Sequence, residues 1–191
     1  MAKKTAPARS KRSSPRSKSS DGAGTAPTTP MHTDWWDVLR TLNEHRVRYL
    51  LIGGHAVSVH ASPRYTEDLD ILVEPTRANG VRLHQALVAF GFGSFAPAPE
   101  ELIRGPFWQF GRKPVRIDVL TDIPAVEFRS AWRRRAEVRY ADLVVPIIGH
   151  LDLIANKRAA GRAKDLADVE ALERALPAER AASRPRRLPR K

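Results

Sequence analysis

The 191-residue chain has no cysteine, which excludes disulfides and thiolate metal sites and leaves the redox compartment open. No stretch approaches the roughly 18 uninterrupted apolar residues that a membrane-spanning helix requires, so no membrane partner is expected. The charged N-terminal segment is followed by no apolar run, which argues against a secretory signal. Residues 1–30 are Arg/Ser-rich and nearly acid-free, as in an organellar transit peptide. Apart from Met1, however, they hold no large apolar side chain for an amphipathic face. A cytoplasmic location is the expectation. The pair Gly53-Gly54 is not followed by Gly-Lys-Ser/Thr, so it is no P-loop.

What is present suffices for one core and hardly for two, with 42% apolar residues. The net charge of +12 is unevenly spread. Seven basic residues fall in 1–30 against Asp21 alone, and six fall in 180–191 against no acid. These thirteen leave twenty basic against twenty acidic side chains in 31–179. The middle is neutral, and the excess lies at the two ends. Both ends have the composition of disordered basic tails, which cannot bury enough apolar surface to offset ordering. Such tails can hold an RNA or DNA backbone without sequence preference. Plain solubilising extensions fit the same composition.

Between the tails one domain is expected over 31–179. Thr33 or Asp34 can cap a helix in which Trp35, Val38, Leu39 and Leu42 form one stripe. Val47–Ile52 reads as a strand ending at Gly53-Gly54, with a short helix over 55–61. Leu69–Val73 reads as a second strand, and Thr76 as the cap of a helix whose Leu83, Leu87 and Phe90 share a face, ending at Gly91. Phe107–Phe110 and Val115–Leu120 look like two strands joined through residues 111–114. A helix over 125–135, one or two strands within 137–148, and helices over 150–160 and 163–176 complete the order. In the last helix Leu166, Val169, Leu172 and Leu176 recur at helical spacing. The predicted class is α+β (mixed α/β): a small sheet flanked by helices, with C-terminal helices.

Asp68 and Asp70 are two apart at the start of a predicted strand, so their side chains share a face, ~6.6 Å apart along the chain. Two carboxylates so placed can converge on Mg²⁺, which takes hard oxygen ligands and is often shared with phosphates. Alone, an Asp-x-Asp is weak evidence, since strand-end carboxylates facing solvent look the same. Leu69, Ile71 and Val73 strengthen it by forming an apolar face opposite the acids. Asp118 repeats the pattern between Ile117 and Val119, with Arg116 and Leu120 on its own face. In a strand adjacent to the first it would lie within ~5 Å of the pair. Three carboxylates at that spacing can hold two metal ions against an in-line displacement, and Asp118 can accept the proton of the attacking hydroxyl. Gly53 and Gly54 let the backbone offer N–H groups to a triphosphate, although an ordinary glycine turn is the alternative.

The run Gly53-Gly54, Arg64-x-Thr66-x-Asp68-Leu-Asp70 and Asp118 resembles the nucleotidyltransferase superfamily related to DNA polymerase β. The segment 151–172 resembles the C-terminal helical signature of its AbiEii/AbiGii-like branch, which includes toxins of type IV toxin–antitoxin systems. The resemblance spans about 35–175. It implies a nucleotidyltransferase-type sheet and transfer of a nucleoside monophosphate from an NTP, with release of pyrophosphate. It further implies Asp68, Asp70 and Asp118 as ligands of Mg²⁺ or Mn²⁺ and as the catalytic carboxylates. Gly53, Gly54, Arg64, Thr66 and Lys157 would be nucleotide- and phosphate-binding residues, supported by Arg162, Lys164, Asp165 and Asp168. An RNA or tRNA acceptor held by the basic tails and an antitoxin-type protein partner follow from the same branch. One departure is that many members carry serine immediately after the glycine, where this chain has Gly54 and then His55.

Plainer readings stand beside these. Arg64 and Thr66 can neutralise and cap the loop before the acids, and Lys157 can be a solvated lysine. Arg162 with Asp165, and Lys164 with Asp168, have the spacing of helix-surface pairs. Trp35 and Trp36 read as core and rim of the first helix, while Trp108 is a candidate for contact with base or acceptor. The six histidines are scattered without metal-ligand spacing, so zinc is not expected. Two other functions remain open: a non-catalytic nucleotidyltransferase-fold module binding RNA or a partner, and a nucleoid-type protein acting through its tails. Convergence of Asp68, Asp70 and Asp118 beside Gly53-Gly54 is what separates the enzyme from the first of these.

Overall fold

A computed structural model describes residues 32–113 and 115–176; the segments expected to be basic tails, 1–30 and 180–191, lie outside the described residues. Helix α1 (Thr33–Glu44) buries Trp35, Val38, Leu39 and Leu42, as its stripe requires. Its cap is His32 rather than Thr33 or Asp34: the imidazole Nδ1 accepts from the Asp34 N–H at 3.3 Å. Strand β1 (Tyr49–Leu51) is shorter than expected and wholly buried. Helix α2 (Gly53–His60) opens on the glycine pair itself, two residues before its expected start. Strand β2 (Asp68–Val73) follows, then α3 (Arg77–Leu87), capped by Thr76 Oγ1, which accepts from the Asn79 N–H at 3.4 Å.

The α3 helix stops at Leu87, and the chain continues as a π-turn over Val88–Phe92 in which Gly91 takes φ 119°. Phe90 therefore leaves the face of Leu83 and Leu87 and is only half-buried. A short helix α4 (Pro99–Arg104) was not foreseen. Proline at its first position and the Glu101 carboxylate, which accepts from the Ala98 N–H at 2.9 Å, define its start. Strands β3 (Phe107–Phe110) and β4 (Arg116–Leu120) form the expected hairpin. Helix α5 (Phe128–Arg133) begins at Glu127, whose carboxylate accepts from the N–H groups of Arg129 and Ser130. A second hairpin, β5 (Ala136–Tyr140) and β6 (Leu143–Ile147), leads into α6 (His150–Ala160) and α7 (Ala163–Ala175). In α7 Val169 and Leu172 are buried, but Leu166 is exposed.

The six strands form one mixed sheet in the order β3-β4-β2-β1-β6-β5. Hairpin neighbours and β1/β2 are antiparallel, whereas β4/β2 and β1/β6 are parallel. The class is the expected mixed α/β, with helices flanking the sheet. The core runs through the four inner strands, where Leu50, Leu69, Ile71, Ile117 and Ile147 are at most 2% exposed. One helix group, α1, α3 and α4, packs together; α2, α6 and α7 form another. No described helix is long and apolar enough to cross a membrane.

Candidate functional site

The parallel pairing of β2 with β4 sets Asp68 opposite Arg116 and Asp70 opposite Asp118. Alternation then brings all four side chains to one face of the sheet, as expected for the three acids. Asp70 is the most constrained of them. Its carboxyl is pushed up to about 6, chiefly by burial and then by the charges of Asp118 and Asp68; Lys157 and Lys164 pull the other way.

Gly53 and Gly54 are glycines because the acids and their loop occupy the space a side chain would need. Gly53 has φ +63°, and a Cβ there would stand 2.0 Å from Asp70 Oδ2. At Gly54 a Cβ would meet Thr66 Cβ at 2.9 Å. Ile52, the cap of α2, offers no side-chain acceptor, so the helix presents its first N–H groups toward the cleft. His55 turns the other way. Its ring lies edge-on to Trp35 at 4.9 Å, and burial lowers its pKa to about 4. Thr66 Oγ1 donates to the Asp68 carbonyl at 3.3 Å and sits 3.5 Å from its N–H, closing the loop before the acids.

Lys157 is 5% exposed and anything but a solvated lysine. Its Nζ lies 2.7 Å from Asp165 Oδ1 and 2.9 Å from Asp168 Oδ2. Gly161, left-handed at φ +67°, reverses the chain between α6 and α7 and so sets the lysine against both aspartates. Arg64 donates to Asp168 Oδ2 at 2.9 Å, not to the acids that follow it in sequence. Arg162 Nε donates to Asp165 Oδ2 at 2.5 Å, so this i,i+3 pair exists. The Lys164–Asp168 helix pair does not: Asp168 is already held by Arg64 and Lys157, while Lys164 lines the cleft. Asp165 is fully buried; burial favours its neutral form, but the bonds from Arg162 and Lys157 outweigh this and hold its pKa below the usual value.

Arg116, which the sequence places on the face of Asp118, has its main partner on the neighbouring strand. Its guanidinium donates to Asp68 Oδ2 at 2.5 Å, and its Nε stands 3.3 Å from Asp118 Oδ1 without hydrogen-bond geometry. Gln109 Nε2 donates to the same Asp118 oxygen at 3.1 Å. Asp68 Oδ1 is buried with no hydrogen-bond partner. Among the described residues no three imidazole or carboxylate groups form a ready-made metal cage, and the arginine lies between two of the carboxylates that would build one. The donor set nevertheless suits a small divalent cation: three hard carboxylates on one face, one of them with an orphaned buried oxygen.

The cleft over these groups has a volume of about 290 Å³. It is lined by the three aspartates, the glycine pair and five basic side chains, Arg64, Arg116, Lys157, Arg162 and Lys164. Phe107 lines it too, whereas Trp108 on the same strand does not. Strand alternation turns the Trp108 indole toward α4, where Nε1 donates to the Glu101 carbonyl at 3.3 Å. A larger hollow of about 880 Å³ adjoins the cleft, and Ile123 and Pro124 line both.

No family model and no curated protein sequence matches the chain. Among solved structures it is similar to the lincosamide antibiotic adenylyltransferase LnuA in its lincomycin-bound crystal structure. The match covers 76% of this chain and 98% of that one, with 14% identity and a TM-score of 0.49. A likeness that distant transfers no activity to this chain.

Proposed function

We propose that the chain is a divalent-metal-dependent nucleotidyltransferase, moving a nucleoside monophosphate from an NTP to an acceptor and releasing pyrophosphate. The observation that carries this reading is the register of Asp70 opposite Asp118, with Asp68 on the same face, beneath a cleft whose other charged groups are all basic. Carboxylates at the floor and cations at the walls suit a triphosphate that arrives with its own counter-ions. The open N-terminus of α2, with Gly53 and Gly54, offers N–H groups to phosphate oxygens. Lys164 and Arg162 face the same space from the start of α7, and Lys157 contributes charge from below while paired to Asp165 and Asp168.

Asp68, Asp70 and Asp118 would hold Mg²⁺ or Mn²⁺, which when bound supplies charge to the phosphates and to the leaving pyrophosphate. Both contacts to Asp118, from Gln109 and Arg116, fall on Oδ1. Its Oδ2 is thereby left to take the proton of the acceptor hydroxyl as the oxygen attacks the α-phosphorus and the bond to the pyrophosphate oxygen breaks. The hollow beside the cleft is where the acceptor would lie. Its charged lining is Glu74, Asp122, Glu127 and Arg129, a mostly acidic wall that suits a hydroxyl-bearing molecule without phosphates. RNA or tRNA as acceptor rests on the basic tails, and the toxin-like branch with its antitoxin-type partner on the helical segment 151–172.

The second reading, a non-catalytic binding module, is favoured by one observation: Arg116 already neutralises Asp68 and Asp118. The two readings part in a single assay. Full-length protein is incubated with each α-³²P-labelled NTP, Mg²⁺ and, in separate reactions, total RNA, hydroxyl-bearing small molecules or total protein, beside Asp118→Asn. Label on one acceptor class with the wild type alone supports the enzyme; NTP binding without transfer in any arm supports the module.

A further inference from the structure

Arg116 is the only basic side chain that reaches the catalytic carboxylates on their own sheet face, among the described residues. The register places it there: it stands opposite Asp68 and two residues before Asp118, on the face of both acids. Its side chain is 26% exposed and those of Asp68 and Asp118 are 22% and 11%, so the contact is partly withdrawn from solvent. In that setting the bond is charge-assisted, and a cation between clustered acids offsets their mutual repulsion. The fit is nevertheless incomplete. Asp68 Oδ1 finds no donor, and Arg116 Nε finds no acceptor. A cation held by Asp68 that left the arginine free to meet a phosphate would answer both unmet groups.

We propose that Arg116 is an internal counter-ion that holds Asp68 and Asp118 until a divalent cation displaces it, and then turns its guanidinium to the nucleotide phosphates. The inference rests on the nucleotidyltransferase reading and adds to it a competition. The arginine holds the carboxylates close in the metal-free protein, and it sets how tightly the cation binds. Arg116 also lines the cleft, so its guanidinium need only change partners within reach of its present position. A residue that merely braced the carboxylates would act in the opposite direction, since its loss would loosen the ligands and weaken metal binding.

The test is Mn²⁺ binding by the full chain without nucleotide, followed by the electron-spin resonance of the free ion, for wild type, Arg116→Gln, Arg116→Lys and Asp70→Asn. Loss of one charge-assisted bond in competition with the metal corresponds to about tenfold tighter binding by Arg116→Gln. Arg116→Lys keeps the charge but offers a single nitrogen to two acids, so it falls between wild type and Gln. It carries the test if the Gln variant does not fold. Arg116→Gln binding no tighter than wild type, while Asp70→Asn loses the ion, overturns the counter-ion role and leaves the enzyme reading standing. No saturable binding by wild type or either Arg116 variant overturns the counter-ion role alone, since a cation that arrives with the triphosphate still serves the enzyme reading, which the labelled-NTP assay decides.

Discussion

Asp70 and Asp118 stand opposite each other in adjacent parallel strands, and Asp70 is the one whose protonation answers to the pair. Its pKa of about 6 exceeds the ordinary 3.8 because the carboxylate is buried beside two others. The folded protein therefore holds a proton on Asp70 between those values that the unfolded chain has released. Its contribution to stability is most favourable below about 3.8, declines as pH rises, and is fully lost above about 6.

Asp70→Asn accordingly stabilises the metal-free protein at neutral pH, by about 2 kcal/mol once screening is allowed for. The gain shrinks to nothing as the pH falls below about 4. Urea unfolding in EDTA at both pH values checks this. A neutral-pH loss of stability would mean that the ionised carboxylate is held by favourable bonds instead.

Gly53→Ala forces its new Cβ onto Asp70 Oδ2, from a backbone already at φ +63°. Displacing the carboxylate by about 1 Å costs on the order of a hundredfold in turnover. Gly54→Ala meets only the Thr66 side chain, at 2.9 Å, and is expected to be milder. The order of the two variants in turnover is the observable, with circular dichroism reporting that both fold.

Lys157→Met leaves Asp165 and Asp168 buried with one fewer cation. Removing one partner of a buried ion cluster costs about 3–5 kcal/mol. Adding Asp168→Asn recovers part of this loss by removing one of the two carboxylates the lysine held, and the recovery is partial because Arg64 then loses its partner. If Lys157→Met alone unfolds at the wild-type urea midpoint, the cluster does not stabilise the fold and Lys157 is free to serve phosphate only.

How much of this was legible in sequence depended on what each signal measures. Periodicity found α1, the β3/β4 hairpin, one or two strands where β5 and β6 lie, and α6 and α7, although Leu151 and Leu166 of the last two stripes are exposed. It missed α4, six residues long and marked only by Pro99 and Glu101, and it ran α3 onward to Phe90 because spacing alone cannot register a π-turn. The site acids were readable since Asp-x-Asp and the later Asp118 each interrupt an apolar strand. Which strand neighbours which follows from tertiary pairing, and so Arg116 was seen on Asp118's face but not weighed as the partner of Asp68. Lys157 and Asp168 are 11 residues apart on different helices; only the turn at Gly161 makes them neighbours.

Burial of His55 contributes to the acid limb of stability. Its pKa is about 4 when folded against the ordinary 6.5, so burial keeps it neutral. Stability from this residue is complete above about 6.5 and is lost as pH falls toward 4, where the unfolded chain takes up the proton first. His60 is lowered in the same direction, chiefly by burial. His55→Gln flattens the dependence between pH 6.5 and 4 by about 2 kcal/mol, read from urea midpoints. An unchanged slope would assign the acid limb to other groups.

The central claim is that the cleft transfers the α-phosphoryl end of an NTP. The most direct measurement runs α-³²P- and γ-³²P-labelled NTP side by side with Mg²⁺ and the acceptor pools, for wild type and Asp68→Asn/Asp70→Asn. The account expects α-label on the acceptor, γ-label in free pyrophosphate, and neither with the double variant. γ-Label on the acceptor, or α-label transfer that survives loss of both aspartates, contradicts it.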